Sequence, residues 1–430
     1  MMHKILHFLP DNHVWGGIET YLNHTLPLLQ AGGRYEVVAA VSKGGKLAAA
    51  LKAQGIAVRE IPLHIKTPFL RLLDIRPMLG LMKILKEESP DLVHIHKGRV
   101  EQAVIRLAGY PIVYTYHGYG GPNNLENAPN ALLRNIYACT RPLLMALAPY
   151  LSGMIIVSHY ERQRLYREGF LPRPFHAEVL HNGLPIKKMQ NTVKDVDGLS
   201  VREELGLLPE QARNTRIVFF ASRLNPAKNA AAFLRIAKMV LKNPALKKPV
   251  YFVVAGNGVL AERFQNVFSQ DPLLSKHGCY LGFRQDIPRL LKAADLSVSL
   301  SLSEGFGLMV LESMLLGKPC LTYAAGGIPE VMGLSEAKDW LIPLGDETRF
   351  AEQLVEMINL PDSAFEKLSP ILKEHSKRFD ISRHVAGLTD FYDRTLIKLG
   401  DALPEAWQNK VQEPSKSSPT ETKRVVNTAR

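Results

Sequence analysis

Two glutamates at the end of an apolar segment, with seven residues between them, carry the most informative chemistry in this chain. The segment Leu296 to Leu302 predicts a strand, and the residues that follow predict a helix running to Gly317. Glu304 is then expected on the loop at the carboxyl end of the strand, and Glu312 about two turns into the helix. Glycines in the loop let a ligand approach the backbone, and a helix N-terminus attracts anions. The pattern suits a nucleotide-sugar, with one carboxylate for sugar hydroxyls and one for the ribose. A capped amphipathic helix with two solvated acids is the competing interpretation.

Two cations stand at a second predicted turn from strand to helix. Arg223 and Lys228 lie five residues apart after the strand Ile217–Ala221. Both can reach a diphosphate, and an arginine can bind two of its oxygens at once. A nucleoside-diphosphate leaving group gains negative charge as its bond breaks, and cations in this place would stabilise that charge. The alternative is that they are ordinary surface residues, although cations are disfavoured near a helix N-terminus.

Metal-ligand patterns are poorly represented. The one Asp-x-Asp match, Asp195-Val196-Asp197, falls in a polar stretch away from any predicted strand end, so neither a metal nor another cofactor is expected. Among the histidines, His117 follows a predicted strand and precedes Gly118, which should place it at a cleft. His94 and His96 alternate on a strand and therefore share a face. His96 either lines an acceptor site or packs in the core.

Apolar strands alternate with helical patterns along most of the chain, which predicts βαβ units and parallel sheets. The predicted strands fall into two groups, Lys4–Leu9, Tyr35–Val41, Leu92–His96, Ile112–Tyr116 and Met154–Val157, then Ile217–Ala221, Val250–Ala255, Leu296–Leu300 and Cys320–Tyr323. A polar stretch at Asn191–Ser200 is the expected linker. The sequence therefore predicts an α/β protein with two doubly wound, Rossmann-like domains, residues 1–190 and 191–380, facing each other across a cleft. A helical pattern follows at 381–399, and the polar composition of 401–430 predicts a disordered tail.

Four further motifs accompany the glutamate pair, each near a predicted strand end. In chain order they are Trp15-Gly16-Gly17-Ile18-Glu19, Ser222 to Asn229, Val254 to Gly258, and Lys318-Pro319 followed by Gly326 to Glu330. In this order and spacing the set resembles family 4 of the glycosyltransferases, which are retaining enzymes of the GT-B fold. The resemblance runs from about Lys4 to Leu399. It implies metal-independent transfer of a sugar from a UDP-, GDP- or ADP-sugar, and a helix at 381–399 that packs back on the first domain.

The resemblance also implies roles for individual residues. Glu304 matches the glutamate expected near the hydroxyls of the transferred sugar, and Glu312 the glutamate expected on the ribose. Arg223 and Lys228 match positions that bind the diphosphate, and His117 matches a histidine that contacts the donor sugar near the reacting centre. The other donor-site residues implied are Gly16, Gly17, Gly305, Phe306 and Gly307, through their backbone N–H groups, and Arg284, near the base.

One position departs from the family pattern. His181 stands before Asn182-Gly183 at the expected hinge, where the family more often carries proline. The departure places little of the expected activity in doubt.

The net charge of +12 is unevenly distributed, because residues 1–190 alone carry +9. Basic residues interleave with Leu, Tyr and Phe over 131–188, namely Arg134, Arg141, Arg162, Arg164, Arg167, Arg173, Lys187 and Lys188. This predicts an anionic or lipid-linked acceptor for the first domain, and a contact with acidic lipid headgroups. A solvated basic face is the alternative. No nucleic-acid-binding motif is present, so nucleic acid is not an expected partner.

The expected location is the cytoplasm, peripheral to the inner face of the membrane. The three cysteines are widely spaced and suit a reducing compartment, and the apolar start Ile5 to Leu9 is too short for a signal peptide. By analogy with bacterial members, the acceptor is a lipid-linked or envelope polysaccharide or lipopolysaccharide precursor. Three alternatives stay open: a soluble transferase that makes a small glycoside or disaccharide, a catalytically inactive nucleotide-binding homologue, and a dinucleotide-binding oxidoreductase.

Overall fold

The structure is a computed structural model that describes residues 2–10, 15–62, 75–118, 151–168 and 177–402, and it contains two parallel β-sheets. The first sheet holds β1 (His3–Leu9), β2 (Tyr35–Ser42), β3 (Ala57–Ile61), β4 (Leu92–Ile95), β5 (Ile112–Tyr116), β6 (Gly153–Ile156) and β7 (Ala177–Val179). Their order across the sheet is β3-β2-β1-β4-β5-β6-β7. The second holds β8 (Arg216–Ala221), β9 (Val250–Ala255), β10 (Gly278–Tyr280), β11 (Leu296–Ser299), β12 (Cys320–Tyr323) and β13 (Leu341–Ile342), in the order β10-β9-β8-β11-β12-β13.

Helices connect successive strands, as parallel pairing requires, at every connection except that between β5 and β6, where residues 119–150 lie outside the described part of the chain. Those described in the first half are α1 (Gly17–Ala31), α2 (Lys46–Ala53), α3 (Arg76–Glu88), α4 (Arg99–Leu107), α5 (His159–Arg167), α6 (Ile186–Thr192), α7 (Gly198–Glu204) and α8 (Pro209–Asn214). The second half holds α9 (Ala230–Lys242), α10 (Ala261–Gln270), α11 (Ile287–Ala293), α12 (Leu308–Leu315), α13 (Ile328–Met332), α14 (Glu347–Asn359), α15 (Asp362–Ser376) and α16 (Ile381–Ala402). The predicted fold class, two doubly wound parallel-sheet domains, is confirmed.

Every strand predicted from the sequence is present. The bounds differ by one residue at most, except that the apolar segment predicted to run as far as Leu302 forms a strand only to Ser299. The strands that the prediction missed are β3, β7, β10 and β13, which are the four edge strands of the two sheets. They are short, and β3 is mostly exposed, so they lack the continuous apolar run of a buried parallel strand. The interior strands were predictable because both of their faces are covered.

Each sheet reverses its strand order once, between β1 and β4 in the first and between β8 and β11 in the second. The loops that leave neighbouring strands at such a point diverge to opposite faces and open a crevice, where ligands of doubly wound proteins bind. In the second sheet these two loops carry the predicted cations and the first predicted glutamate. In the first sheet the strands carry histidines.

The chain crosses between the sheets twice, and the two crossings lie side by side. Leu184 accepts a hydrogen bond from the Ile381 N–H and donates its own N–H to the Phe379 carbonyl, both at 3.0 Å. The linker was expected later, at Asn191–Ser200. Instead, Leu184, Ile186 and Val193, which lie in and beside α6, already pack in the core of the second sheet.

Helix α16 returns to the first sheet. Leu388, Phe391 and Tyr392 are buried in the same cluster as core residues of β1 and β2. The helix continues to Ala402, two residues into the stretch predicted as a disordered tail, and the rest of that tail lies outside the described residues. Among the helices that the structure describes, none combines the length and the apolar character needed to cross a bilayer.

Candidate active site

The loops that follow β8 and β11 bring Lys228 and Glu304 into contact, although 76 residues separate them. The Lys228 ammonium pairs with Oε1 of Glu304, and the Ser301 hydroxyl donates to the same oxygen at 2.8 Å. Asn225 caps the short helical turn Pro226–Lys228 by accepting the Lys228 N–H at 3.0 Å. Both charged side chains are 21% exposed, so a ligand in the cleft can reach them. Ser301 was not foreseen, since nothing distinguishes it from its serine neighbours in the sequence.

Arg223 lies on the same loop as Lys228 and is exposed. Its charge acts across the cleft on Glu19, near the start of α1 in the first domain. Burial raises the pKa of Glu19, while its own and the Gly16 backbone N–H groups and the charges of Lys97 and Arg223 act in the opposite direction. Arg223 and Glu19 are thus close enough for their charges to interact across the cleft.

The N-termini of α1 and α12 meet at this point. A Cβ atom placed on Gly17, the first residue of α1, would lie 3.7 Å from Cδ1 of Leu308, the first residue of α12. Gly307 precedes α12 with a φ of +106°, a conformation that favours glycine. Two helix N-termini thus meet beside the loop of Glu304, which pairs with Lys228, and helix N-termini and cations both attract an anion.

Backbone contacts join the two domains next to these helix ends. A Cβ atom on Gly305 would lie 2.0 Å from the carbonyl oxygen of His117, and one on Gly118 would lie 2.2 Å from Cα of Gly305. No side chain fits at either position, so both glycines are required by the approach of the loops. The predicted site residues Gly305 and His117 are therefore in direct contact.

His117 is partly exposed, and its Nε2 lies 3.1 Å from Nδ1 of His96. Burial, followed by the charge of His384, lowers the pKa of His117 to about 3, so the ring is neutral at neutral pH. His96 is only 2% exposed. Of the two interpretations left open for His96, the structure favours core packing over an acceptor surface.

Glu312 lies in α12, on the helix that begins at the cleft. It is partly buried, and burial raises the pKa of its carboxyl to about 7. The described residues provide it with no ion pair. A carboxyl poised to ionise near neutral pH can accept hydrogen bonds from a ligand's hydroxyl groups.

Two of the residues predicted for the donor site, which were expected to act through their backbone, have side chains that are engaged elsewhere. Phe306 is 3% exposed, and its ring packs 5.5 Å from the rings of both His181 and Phe379. Only its backbone can serve a ligand. The guanidinium of Arg284 is bidentate on Asp286, at 2.8 and 2.6 Å. Its side chain would have to leave that partner to contact a base.

The Asp-x-Asp segment has a structural explanation. The Asp197 carboxylate accepts hydrogen bonds from the N–H groups of Leu199 and Ser200, at 3.0 and 3.3 Å, and so caps α7.

The basic patch predicted over 131–188 is only partly described. Arg134, Arg141 and Arg173 lie outside the described residues. Of the others, Arg164 pairs with the buried Glu161, whereas Lys187 and Lys188 are exposed. The described part of the patch therefore leaves fewer cations for a partner than the sequence suggested.

His181 has a function that the sequence did not reveal. Its Nε2 lies 2.8 Å from Glu330 of the second domain, whose carboxylate also accepts the N–H groups of His159 and Tyr160 at 2.9 and 2.7 Å. Glu330 thus caps α5, a helix of the other domain. His181, at which the chain departs from the family pattern, therefore forms one side of a contact between the domains.

Two parallel-sheet domains with an anion-attracting cleft between their strand ends define a GT-B glycosyltransferase, and comparisons with known proteins agree. Residues 15–188 match the model of Glycosyltransferase Family 4, and residues 209–375 match that of Glycosyl transferases group 1. The chain belongs to this family and is a nucleotide-sugar glycosyltransferase. The predicted family and enzyme class are confirmed.

Relatives of known activity and known structure resemble most of the chain. UDP-Gal:alpha-D-GlcNAc-diphosphoundecaprenol alpha-1,3-galactosyltransferase of Escherichia coli is 29% identical over 329 residues, which are 74% of this chain and 79% of that protein. The D-inositol 3-phosphate glycosyltransferase of Saccharomonospora viridis is 25% identical over 91% of this chain and 92% of its own. The structure of Anabaena HepE in complex with UDP-glucose aligns with a TM-score of 0.68 at 22% identity, over 91% of this chain and 99% of that one. WaaG, a glycosyltransferase involved in lipopolysaccharide biosynthesis, aligns with a TM-score of 0.68 at 13% identity, over 90% and 99%.

Proposed function

We propose that this protein is a retaining, metal-independent glycosyltransferase that moves a sugar from a nucleoside-diphosphate-sugar to a lipid-linked precursor of an envelope polysaccharide or lipopolysaccharide. The observation that carries the donor half is the meeting of the N-termini of α1 and α12 beside the Lys228–Glu304 ion pair, with Arg223 on the same loop as Lys228. These groups would stabilise the charge that develops on the diphosphate as the sugar departs, which is the work a divalent cation does in metal-dependent transferases.

The residue roles that we propose are those that the family resemblance implies. Arg223 and Lys228 bind the diphosphate, with the N–H groups of Gly16, Gly17 and Gly307. Glu304, held beside Lys228, accepts hydrogen bonds from the hydroxyls of the transferred sugar, and Glu312 accepts them from the ribose. His117 contacts the sugar from the first domain, because its carbonyl already touches the loop that carries Glu304. Arg284 contributes its backbone near the base.

The acceptor half rests on composition and on relatives. The net charge of +9 over residues 1–190 favours an anionic acceptor, and the E. coli relative acts on a sugar linked to diphosphoundecaprenol. We place the protein at the cytoplasmic face of the membrane, bound peripherally. Binding to anionic vesicles at low salt, released by high salt, tests this; absence of binding at low salt favours the small-glycoside alternative.

The donor site is tested by thermal stabilisation with UDP, GDP, ADP and NAD in the presence of EDTA. A ligand at 100 times its dissociation constant adds about 2.7 kcal/mol to the free energy of unfolding. We expect one nucleoside diphosphate to stabilise the wild type, and the Arg223→Ala/Lys228→Ala variant to lose that response. The matched control is Arg235→Ala/Lys238→Ala, which removes an arginine and a lysine from α9 that pair with Glu347 and Asp271.

Failure would take distinct forms. A response to NAD alone would overturn the donor assignment in favour of an oxidoreductase, and a response that requires a divalent cation would overturn metal independence. A nucleoside diphosphate that binds without any transfer to lipid-linked or soluble acceptors would indicate the inactive homologue. Where transfer occurs, the anomeric configuration of the product, read by NMR, decides between retention and inversion.

A further inference from the structure

A line of buried side chains leads from the interior of the first domain to His117. His7 of β1, His94 of β4, His96 and Tyr392 of α16 are between 0% and 2% exposed. Each ring nitrogen of the three buried histidines has a hydrogen-bond partner within this line. Sequence analysis singled out His94 and His96, but His7 and Tyr392 join them only in the folded chain.

The contacts follow one another without a branch. Thr115 Oγ1 lies 2.6 Å from His94 Nε2, and His94 Nδ1 contacts the Tyr392 hydroxyl. The same hydroxyl lies 3.4 Å from His7 Nε2, which is the longest link. His7 Nδ1 then lies 3.0 Å from His96 Nε2, and His96 Nδ1 lies 3.1 Å from His117 Nε2. The ring nitrogen left over at the end is Nδ1 of His117.

A line of hydrogen-bonded side chains of this kind permits only two arrangements of its protons. A neutral imidazole has one N–H donor and one acceptor nitrogen, and a tyrosine hydroxyl has one hydrogen. If His94 donates from Nδ1, every later link must run in the same direction, and all four histidines carry their proton on Nδ1. If the direction is reversed, all four carry it on Nε2. The proton position on His117 is therefore linked to that on His94, several side chains away.

The rings are neutral at neutral pH, as this argument requires. Burial lowers the pKa of His7 and of His117 to about 3. Burial, and then the charges of neighbouring histidines, lower the pKa of His94 and His96 well below the ordinary value.

We propose that His7, His94, His96 and Tyr392 are positioning residues that hold His117 in a single tautomer, and so determine whether its Nδ1 donates a hydrogen bond to the donor sugar or accepts one. This rests on the proposed function, in which His117 contacts that sugar. A neutral histidine free to exchange tautomers would present the wrong one part of the time. The line of hydrogen bonds removes that freedom, because a change of tautomer at one histidine requires every proton in the line to move.

A buried metal ion is the alternative use of the same atoms. One nitrogen from each of His7, His94 and His96 lies within 4.8 Å of the others. A metal would need lone pairs from all three rings. The 3.0 Å separation of His7 Nδ1 and His96 Nε2 fits a shared hydrogen as well as two ligands of one ion, so the metal content of the purified protein distinguishes the two. Stoichiometric metal in the purified protein would overturn the proposal.

The direct test is ¹⁵N–¹H NMR of the ligand-free protein labelled at its histidines, with resonances assigned by substitution. We expect His7, His94, His96 and His117 to share one tautomer. Two references are present in the same spectrum. His384 Nδ1 lies 2.8 Å from the His181 carbonyl and must carry its proton there, and His375 Nε2 lies 2.9 Å from the Val331 carbonyl and must carry it on that nitrogen. Mixed tautomers among the four rings would overturn the proposal.

The functional test is Tyr392→Phe, which removes the hydroxyl that joins His94 to His7 and keeps the ring. We expect the tautomer of His94 to become independent of the other three, and kcat to fall roughly three- to tenfold, the size of one net hydrogen bond, with KM for the donor nearly unchanged. The matched control is Tyr35→Phe. Its ring packs 5.6 Å from that of Tyr392, but its hydroxyl bonds Asp393 and the Thr389 carbonyl instead.

A second variant covers the case in which Tyr392→Phe does not fold. His96→Asn keeps an amide near the position of Nδ1 but cannot reach His7, and we expect a mixed tautomer at His117. Unchanged kcat in folded Tyr392→Phe, or a fall equal to that in Tyr35→Phe, would overturn the positioning role. A wild type without transferase activity would instead overturn the proposed function. The NMR measurement would still show whether the four histidines share one tautomer.

Discussion

Oε1 of Glu304 receives both the ammonium of Lys228 and the hydroxyl hydrogen of Ser301, the latter at 2.8 Å. A diphosphate arriving in the cleft must therefore compete with Glu304 for Lys228. Once the diphosphate takes the lysine, the Glu304 carboxylate, still bonded by Ser301, can accept a hydrogen bond from a sugar hydroxyl in place of the ammonium. We therefore expect binding of the diphosphate to free Glu304 for binding of the sugar.

Substitution of the two partners should have opposite effects on nucleotide binding. Lys228→Ala should weaken binding of the nucleoside diphosphate by roughly ten- to hundredfold, because a hydrogen bond to a charged group contributes about 1.5–3 kcal/mol. Glu304→Gln should leave that affinity unchanged or raise it, since Lys228 is released, while transfer is lost. Calorimetric titration and initial rates measure the two. Ser301→Ala is the control for local packing, and a loss of affinity in Glu304→Gln would contradict the competition.

Nucleotide affinity should rise as pH increases through about 7, because burial raises the pKa of Glu312 to that value. Ribose hydroxyls donate to the ionised carboxylate, so binding favours loss of its proton. Below pH 7 the ligand must expel that proton and binds more weakly. Titrations from pH 6 to pH 8 check this, and Glu312→Gln should remove the dependence. A persistent slope in the variant would assign the effect to another group.

The stability curve of Glu312→Gln should differ from that of the wild type in the same range. The folded pKa exceeds the unfolded value of 4.5, so the folded protein binds more protons between pH 4.5 and about 7. Stability of the wild type relative to the variant should therefore fall as pH rises across that interval. Thermal unfolding of both proteins in matched buffers provides the comparison, and parallel curves would mean that Glu312 is not desolvated.

Glu330→Gln should weaken the interdomain contact at neutral pH. Burial raises the pKa of Glu330, but hydrogen bonds from His181 and from the Tyr160 and His159 N–H groups outweigh it and hold the pKa below 4.5. The contact therefore stabilises the protein above pH 4.5 and is lost as pH falls through the lower, folded value. We expect a loss of about 1–2 kcal/mol at pH 7, shrinking below pH 4.5. Glu336→Gln, a nearby exposed glutamate, should change the melting temperature little at either pH.

Gly305→Ala should separate the loops of the two domains. Its Cβ would lie 2.0 Å from the His117 carbonyl oxygen, a contact that backbone cannot absorb without moving. Transfer should be lost, while each domain keeps its fold. Activity and small-angle scattering report the two effects, the latter as an increased radius of gyration. Gly400→Ala is the control, because nothing lies within 4 Å of a Cβ there. A fully active Gly305→Ala enzyme would show that this contact is not needed for transfer.

The main features of the fold could be predicted from sequence because parallel strands buried on both faces have a simple signature. Segments such as Val250–Ala255 are continuous apolar runs between helical patterns, and their bounds were predicted without error. The carboxyl ends of such strands share one edge of the sheet, which is why Arg223, Lys228 and Glu304 could be assigned to one cleft. Edge strands such as β13, with two residues, have no comparable signal.

Side-chain partnerships were beyond the same reasoning. The engagement of Arg284 by Asp286 and the burial of Phe306 against His181 depend on rotamers and on the closeness of the loops, which no spacing reveals. The structure adds a second reason for a glycine at position 305. It was predicted to offer its N–H to a ligand, and the structure shows that its missing side chain also lets the domains touch.

By itself, the sequence determined the two doubly wound domains and the places where chemistry could occur, because these depend on hydrophobic periodicity and on residues close together in the chain. The class of enzyme was indicated by the resemblance of its ordered motifs to a known family. Only the tertiary structure decided which distant groups meet. His7 and Tyr392 are 385 residues apart, and Glu330 reaches His181 across 149. Such contacts are selected by the packing of one domain on another and of α16 on the first sheet, where burial and hydrogen-bond geometry act on groups that no local pattern connects.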